Sequence, residues 1–161
     1  MTGQTAFAVP KERQEVTVRL IGGEVLEGAI FLEYAPAEVK VYQKVGGFLE
    51  DGNGFFPLVP TGGGSPEFIN KQNVKTVELA YRAEQEENGL ALSLMQIVNI
   101  TAIFVDESTI NGSLLAEVPV EKARLSDCLN LPGRFLTVKI NGRICFVNKD
   151  ALRKVSYSDK P

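Results

Sequence analysis

The chain has no histidine and two cysteines, Cys128 and Cys145, and these facts limit its chemistry most sharply. Histidine is the commonest general base and metal ligand at neutral pH, so both roles lose their usual agent. The cysteines form no CxxC pair and have no histidine partner, which leaves neither a zinc site nor an activated thiol dyad. Gly62 to Gly64 lack a following Lys-Ser/Thr and sit between expected strands, so they do not form a phosphate-binding loop. Gly52-Asn53-Gly54 reads as a turn. The acidic pairs Glu50-Asp51 and Asp106-Glu107 fall at turns, where solvation is their ordinary role. The expectation is a non-enzyme with no catalytic residue, no cofactor and no metal. Two short loops, Asn70-Lys71-Gln72 and Asn148-Lys149-Asp150, carry the same Asn-Lys pair.

Those loops belong to a repeat, which is the firmest signal in the chain. Residues 68–79, FINKQNVKTVEL, are answered by residues 146–157, FVNKDALRKVSY. Gly28 matches Gly112 at an offset of 84. Val45, Phe48 and Leu49 match Leu125, Cys128 and Leu129 at 80. Phe56 matches Phe135 at 79, and Asn70-Lys71 matches Asn148-Lys149 at 78. The offset only shrinks, as it does when the second copy has shorter loops. Cys128 stands where the first copy has Phe48, so it reads as a small core residue.

The elements that must position the loops read mainly as β. Val16, Val18 and Leu20 alternate with polar residues, as in a half-buried strand. Gly22-Gly23 then turns the chain into a second strand, Val25 to Glu33. Val39 to Val41 reads as further strand. The i, i+3, i+4 spacing of Val45, Phe48 and Leu49, and of their counterparts, reads as a helical turn, with Ser126 as a candidate cap. Phe55 to Val59 and Phe68 to Leu79 complete the first unit. The expected organisation is a tail at 1–13, a unit at 14–82, a polar linker at 83–95, a second unit at 96–158 and a tail at 159–161. About five short strands per unit are too few for two layers, so each unit is expected to close as a small barrel.

Composition is that of a soluble globular chain: 161 residues, 44% hydrophobic and 23% charged. The greasiest stretch, Leu90 to Val105, is interrupted by Ser93, Gln96, Asn99 and Thr101, so no membrane span is expected. No export signal is read at the start, which makes the expected location cytoplasmic and the cysteines reduced. Charge is uneven. Residues 1–120 hold 8 Lys and Arg against 16 Asp and Glu, while residues 121–161 hold 9 against 4. A basic end on an acidic body suits a phosphate-rich ligand or one half of a contact between subunits.

At this point the residues resemble a family. VTVRLIGGEVLEGAIFLEY is similar to the opening motif of Sm-like proteins: an alternating strand, a glycine turn, and a strand whose glycine lets the sheet bend. FINKQNVKTVEL resembles the closing hairpin of the bacterial RNA chaperone Hfq, and FVNKDALRKVSY repeats it; the second copy also resembles uncharacterised bacterial proteins. The resemblance implies two tandem, bent five-stranded barrels with short helical turns, which assemble edge to edge. It implies RNA binding through Asn70, Lys71, Gln72, Asn148 and Lys149; Tyr34, by its aromatic ring alone, offers a face on which a base can stack. The match departs at the pocket. The family's aspartate position holds Tyr34 or Val118, its stacking position holds Pro36 or Val120, and its loop histidine becomes Gln72 or Asp150.

Ile97, Ile100, Ile103, Phe104 and Val105 place apolar side chains on both faces of one strand, so both faces are expected to be covered. These five are the candidate interface with the first unit or with another subunit. The leading expectation is an oligomeric, non-catalytic binding or adaptor module. Its partners would be further copies of itself and an unidentified protein. A protein binding single-stranded RNA is the alternative.

Overall fold

The structure is a computed structural model that describes residues 11–82, 96–118 and 124–158. The chain is mainly β. Ten strands join in one open antiparallel sheet, ordered β10-β6-β7-β8-β9-β5-β1-β2-β3-β4. In the first half these are β1 (Lys11–Leu20), β2 (Val25–Glu33), β3 (Phe55–Pro60), β4 (Glu67–Asn70) and β5 (Val74–Arg82). In the second half they are β6 (Gln96–Phe104), β7 (Thr109–Ala116), β8 (Phe135–Ile140), β9 (Arg143–Asn148) and β10 (Leu152–Tyr157). Helix α1 (Val41–Leu49) and the shorter α2 (Leu125–Leu129) interrupt the halves at matching points.

The repeat is therefore structural. Each half runs fifth, first, second, third, fourth strand across the sheet. Each fourth strand leads into a one-turn 3-10 helix, Lys71–Asn73 or Lys149–Ala151. The asparagine before each turn accepts from the backbone N–H two residues on, Gln72 or Asp150, at 3.0 Å in both copies, as short polar side chains do at such turns. The Ile21 N–H donates to the Asn73 carbonyl and the Val105 N–H to the Ala151 carbonyl, each at 2.8 Å.

Gly28 and Gly112 are required by close approach. A Cβ on Gly28 would lie 2.4 Å from the Val59 carbonyl oxygen, and one on Gly112 would lie 2.8 Å from that of Lys139. Each glycine lets the third strand cross close over the second.

Several expectations need correction. Residues 11–13 open β1 rather than ending a tail. Val39 to Val41 is not strand: α1 begins at Val41, and the Lys40 N–H is capped by the Gln43 carboxamide at 2.9 Å. Ser126 does not cap α2; it lies inside the helix, whose N-cap is Arg124. Within the chain the first half does not cover the outer face of β6, which leaves another subunit as the expected cover. Val98, Ile100, Ala102 and Phe104 are buried, while Ile97 and Val105 stand exposed and Ile103 is half-buried. One face of an antiparallel strand is enough to fill the core. The expected linker, the segment Leu90 to Met95, and the tails 1–10 and 159–161 lie outside the described residues. Among the described residues, no helix is long and apolar enough to cross a membrane.

Two cores follow the two halves. The second is built from β6 to β10 and α2. The first is built on β1 to β5 and α1 but also takes in Leu115, Phe135, Ile144 and Phe146 from the second half. The halves share buried apolar surface.

Candidate functional site

The closing loops expected to hold a ligand come together at the seam between the halves. There β5 pairs antiparallel with β9, with Thr76 opposite Val147, Val77 opposite Phe146 and Glu78 opposite Cys145. Asn148, at the end of β9, is fully buried. Its carboxamide donates to the Lys71 carbonyl at 3.0 Å and to the Val74 carbonyl at 2.9 Å. With its oxygen holding Asp150, Asn148 has every strong hydrogen-bonding group in use. It is a stitch between the halves rather than a solvent-facing loop residue.

Lys71 is also turned inward. It is 1% exposed, and its ammonium meets Asp51 Oδ1 at 2.8 Å and the Asp51 carbonyl at 3.3 Å. Lys149 repeats the arrangement, donating to the Leu131 carbonyl. Leu131 follows α2 as Asp51 follows α1. In both copies the loop lysine ties the 3-10 turn to the end of the preceding helix, where free carbonyls need donors. The Lys71 hydrogen bond is the main cause that holds the Asp51 carboxyl below its ordinary range. Gln72 remains exposed, and Asn70 is half-buried. Tyr34 stands elsewhere, exposed at the end of β2.

Both acidic pairs have structural work that solvation did not suggest. The Glu50 carboxylate accepts from the Arg134 and Phe135 backbone N–H groups, each at 2.9 Å, and so pins the end of α1 to the start of β8. Gly133 makes the room, since a Cβ there would lie 2.7 Å from a Glu50 oxygen. Asp106, in the β6–β7 turn, accepts from Ser108, from the Gly22 N–H and from Lys75 Nζ. These bonds, the Ser108 hydroxyl foremost, hold its carboxyl well below the usual carboxylate range. Lys75 also lies over the Phe104 ring, 5.4 Å from its centroid.

The cysteines are buried and free. Burial pushes the Cys145 thiol up to about 12, with Glu78 adding in the same direction. Burial likewise raises the Cys128 thiol. Such thiols are poor nucleophiles. Among the described residues, no group of three or more His, Cys, Asp or Glu is placed to hold a metal ion.

Two hollows flank α1. One, of about 360 Å³, lies where α1 meets the second half, with Tyr42 and Gly46 on one wall and Leu115, Cys128 and Phe135 on the other. The other, of about 590 Å³, is an open groove on the first half, with Phe31, Tyr34, Phe48, Phe55 and Phe56 on its walls. Of the five candidate interface residues, Ile100 and Phe104 belong to the second core, while Ile97 and Val105 face outward. Comparison with protein-family models, curated proteins and solved structures gave no match to this chain.

Proposed function

We propose that this chain is a non-catalytic binding or adaptor module, made of two Sm-like units, that acts as part of a defined oligomer. The observation that carries the reading is the open sheet. Among the described residues neither β10 nor β4 has a strand on its outer side. Edge strands of that kind offer unpaired N–H and C=O groups to another chain. β4 adds an exposed phenylalanine, Phe68, and β10 an exposed tyrosine, Tyr157. Both stand on the edges with which another chain would pair.

The repeated strand order, the close-approach glycines and the paired Asn-Lys turns support the Sm-like reading of each unit. RNA binding through the closing loops receives less support. Lys71 and Asn148 face the interior, and Lys149 is engaged by a carbonyl. Light scattering at tens of micromolar protein tests the assembly reading: a discrete oligomer is expected, and a clean monomer overturns it.

A further inference from the structure

We propose that the aromatic groove on the first half is occupied by the chain's own residues 1–10, with Phe7 as the anchor. This contact lies within one chain and stands or falls apart from the assembly reading. At about 590 Å³ the groove has the size of a ligand cleft. Two of its aromatic side chains are largely bare, Tyr34 at 68% and Phe55 at 56% exposed. Phe48 meets Phe56 edge to face, with ring centroids 5.8 Å apart, and the pair gives the groove a packed apolar wall.

The groove opens for a backbone reason. Pairing of β2 with β3 stops at Ala29 opposite Val59. The Thr61 N–H donates to the Glu27 carbonyl at 3.0 Å, so Glu27 faces β3, and by alternation Phe31 and Glu33 do too. In the same register Phe31 would next meet Pro57, which has no N–H to offer. The two strands part there, and the backbone groups of Phe31 and Glu33 are left facing the groove.

The occupant follows from where residues 1–10 join the described chain. Lys11, the first residue of β1, stands opposite Glu33 and lines the groove. The preceding residues, MTGQTAFAVP, carry no charged side chain and run apolar from Ala6 to Val9. The groove matches them, because two of its charged residues are already paired within the chain, Lys44 with Glu12 and Asp51 with Lys71. From β1 across β2 to the groove is two strand spacings, roughly 10 Å. About three extended residues span that distance, and Phe7 lies four residues ahead of Lys11. Pro10 has no N–H with which to prolong the β1–β2 pairing, and it favours an extended Val9. A segment held in this way covers Tyr34 and Phe55, so an apolar partner that uses the groove must first displace it.

The chain has no tryptophan, so Phe7→Trp gives the full chain a single fluorescent reporter at the anchor position. In the folded protein its emission is expected to be blue-shifted from that of the same chain in urea, and equally so at micromolar and at tens of micromolar protein. Adding Tyr34→Ser and Phe55→Ser, both at exposed positions, is expected to return the emission to the unfolded value. Gly47→Leu is expected to do the same from the α1 wall of the groove. It puts a better helix former where a Cβ meets open space, so it keeps the test readable if the double substitution fails to fold. Circular dichroism melts report which variants are folded. Solvent-like emission from the folded Phe7→Trp chain overturns the proposal, as does a blue shift that survives both folded groove variants. A shift that appears only as concentration rises places a second copy's segment in the groove and overturns it too.

Discussion

Phe68 and Phe146 occupy the same position in two copies of one unit, yet Phe68 is mostly exposed and Phe146 is buried. The difference is not in the residue but in its neighbour. Phe146 faces Val77 on β5 and lies within 3.6 Å of where a Cβ on Gly46 of α1 would be. Phe68 has Pro57 on its inner side and, among the described residues, no strand on its outer side. The pair shows what one seam covers and what the free edge still offers.

The two loop asparagines should respond unequally to truncation. Asn148→Ala leaves the Lys71 and Val74 carbonyls without that donor in a buried site and removes the turn cap, which is expected to cost about 2–3 kcal/mol. Asn70→Ala in the isolated chain loses the turn cap alone, at about 1 kcal/mol. Urea unfolding of both variants under monomeric conditions checks the asymmetry; equal losses would contradict the stitching role.

Lys71 and Asp51 should also differ. Asp51→Ala strands a buried ammonium and is expected to cost about 3 kcal/mol. Lys71→Met keeps the buried stem, removes the charge and leaves Asp51 with access to water, for about 1 kcal/mol. Thermal or urea denaturation decides the order, and a reversed order would mean that Lys71 is not anchored by Asp51.

Acid should loosen the seam between the halves. Folding lowers the Asp106 carboxyl below its unfolded value, so its contribution to stability is present above that value, about pH 4. It is lost as pH falls through the folded value. Asp51 acts in the same direction. Unfolding midpoints followed from pH 6 down to pH 2.5 should fall on the acid side, and Asp106→Asn should flatten part of that fall. An unchanged acid limb in Asp106→Asn would remove this carboxylate from the account.

If the loop lysines serve the fold, they should not serve RNA. Fluorescence anisotropy with a labelled single-stranded RNA is expected to show no salt-sensitive binding at micromolar protein. Tight binding that weakens steeply with salt would restore the RNA reading, because phosphate contacts carry that dependence.

Much of the fold was legible because it lies in local periodicity. The β1–β2 hairpin, the helical spacing at Val45, Phe48 and Leu49, and the two glycines at an offset of 84 all reappear in the structure. Val39 to Val41 misled because two valines in alternation are too few to outweigh the cap that Gln43 gives the Lys40 N–H. At Ile97 to Val105 the sequence shows apolar side chains on both faces, but composition does not tell which face the chain itself buries. The burial of Lys71 was hidden because its partner, Asp51, lies 20 residues away. The Asn-Lys pair was visible as a repeat, but its role depends on contacts between the halves, which no local pattern records.

The central claim, that this chain works as a self-assembled module, is tested most directly by its mass in solution. Light scattering on the wild-type protein at tens of micromolar should give one discrete species at a whole-number multiple, two or more, of the 17.6 kDa chain. A single species at the mass of one chain would contradict it.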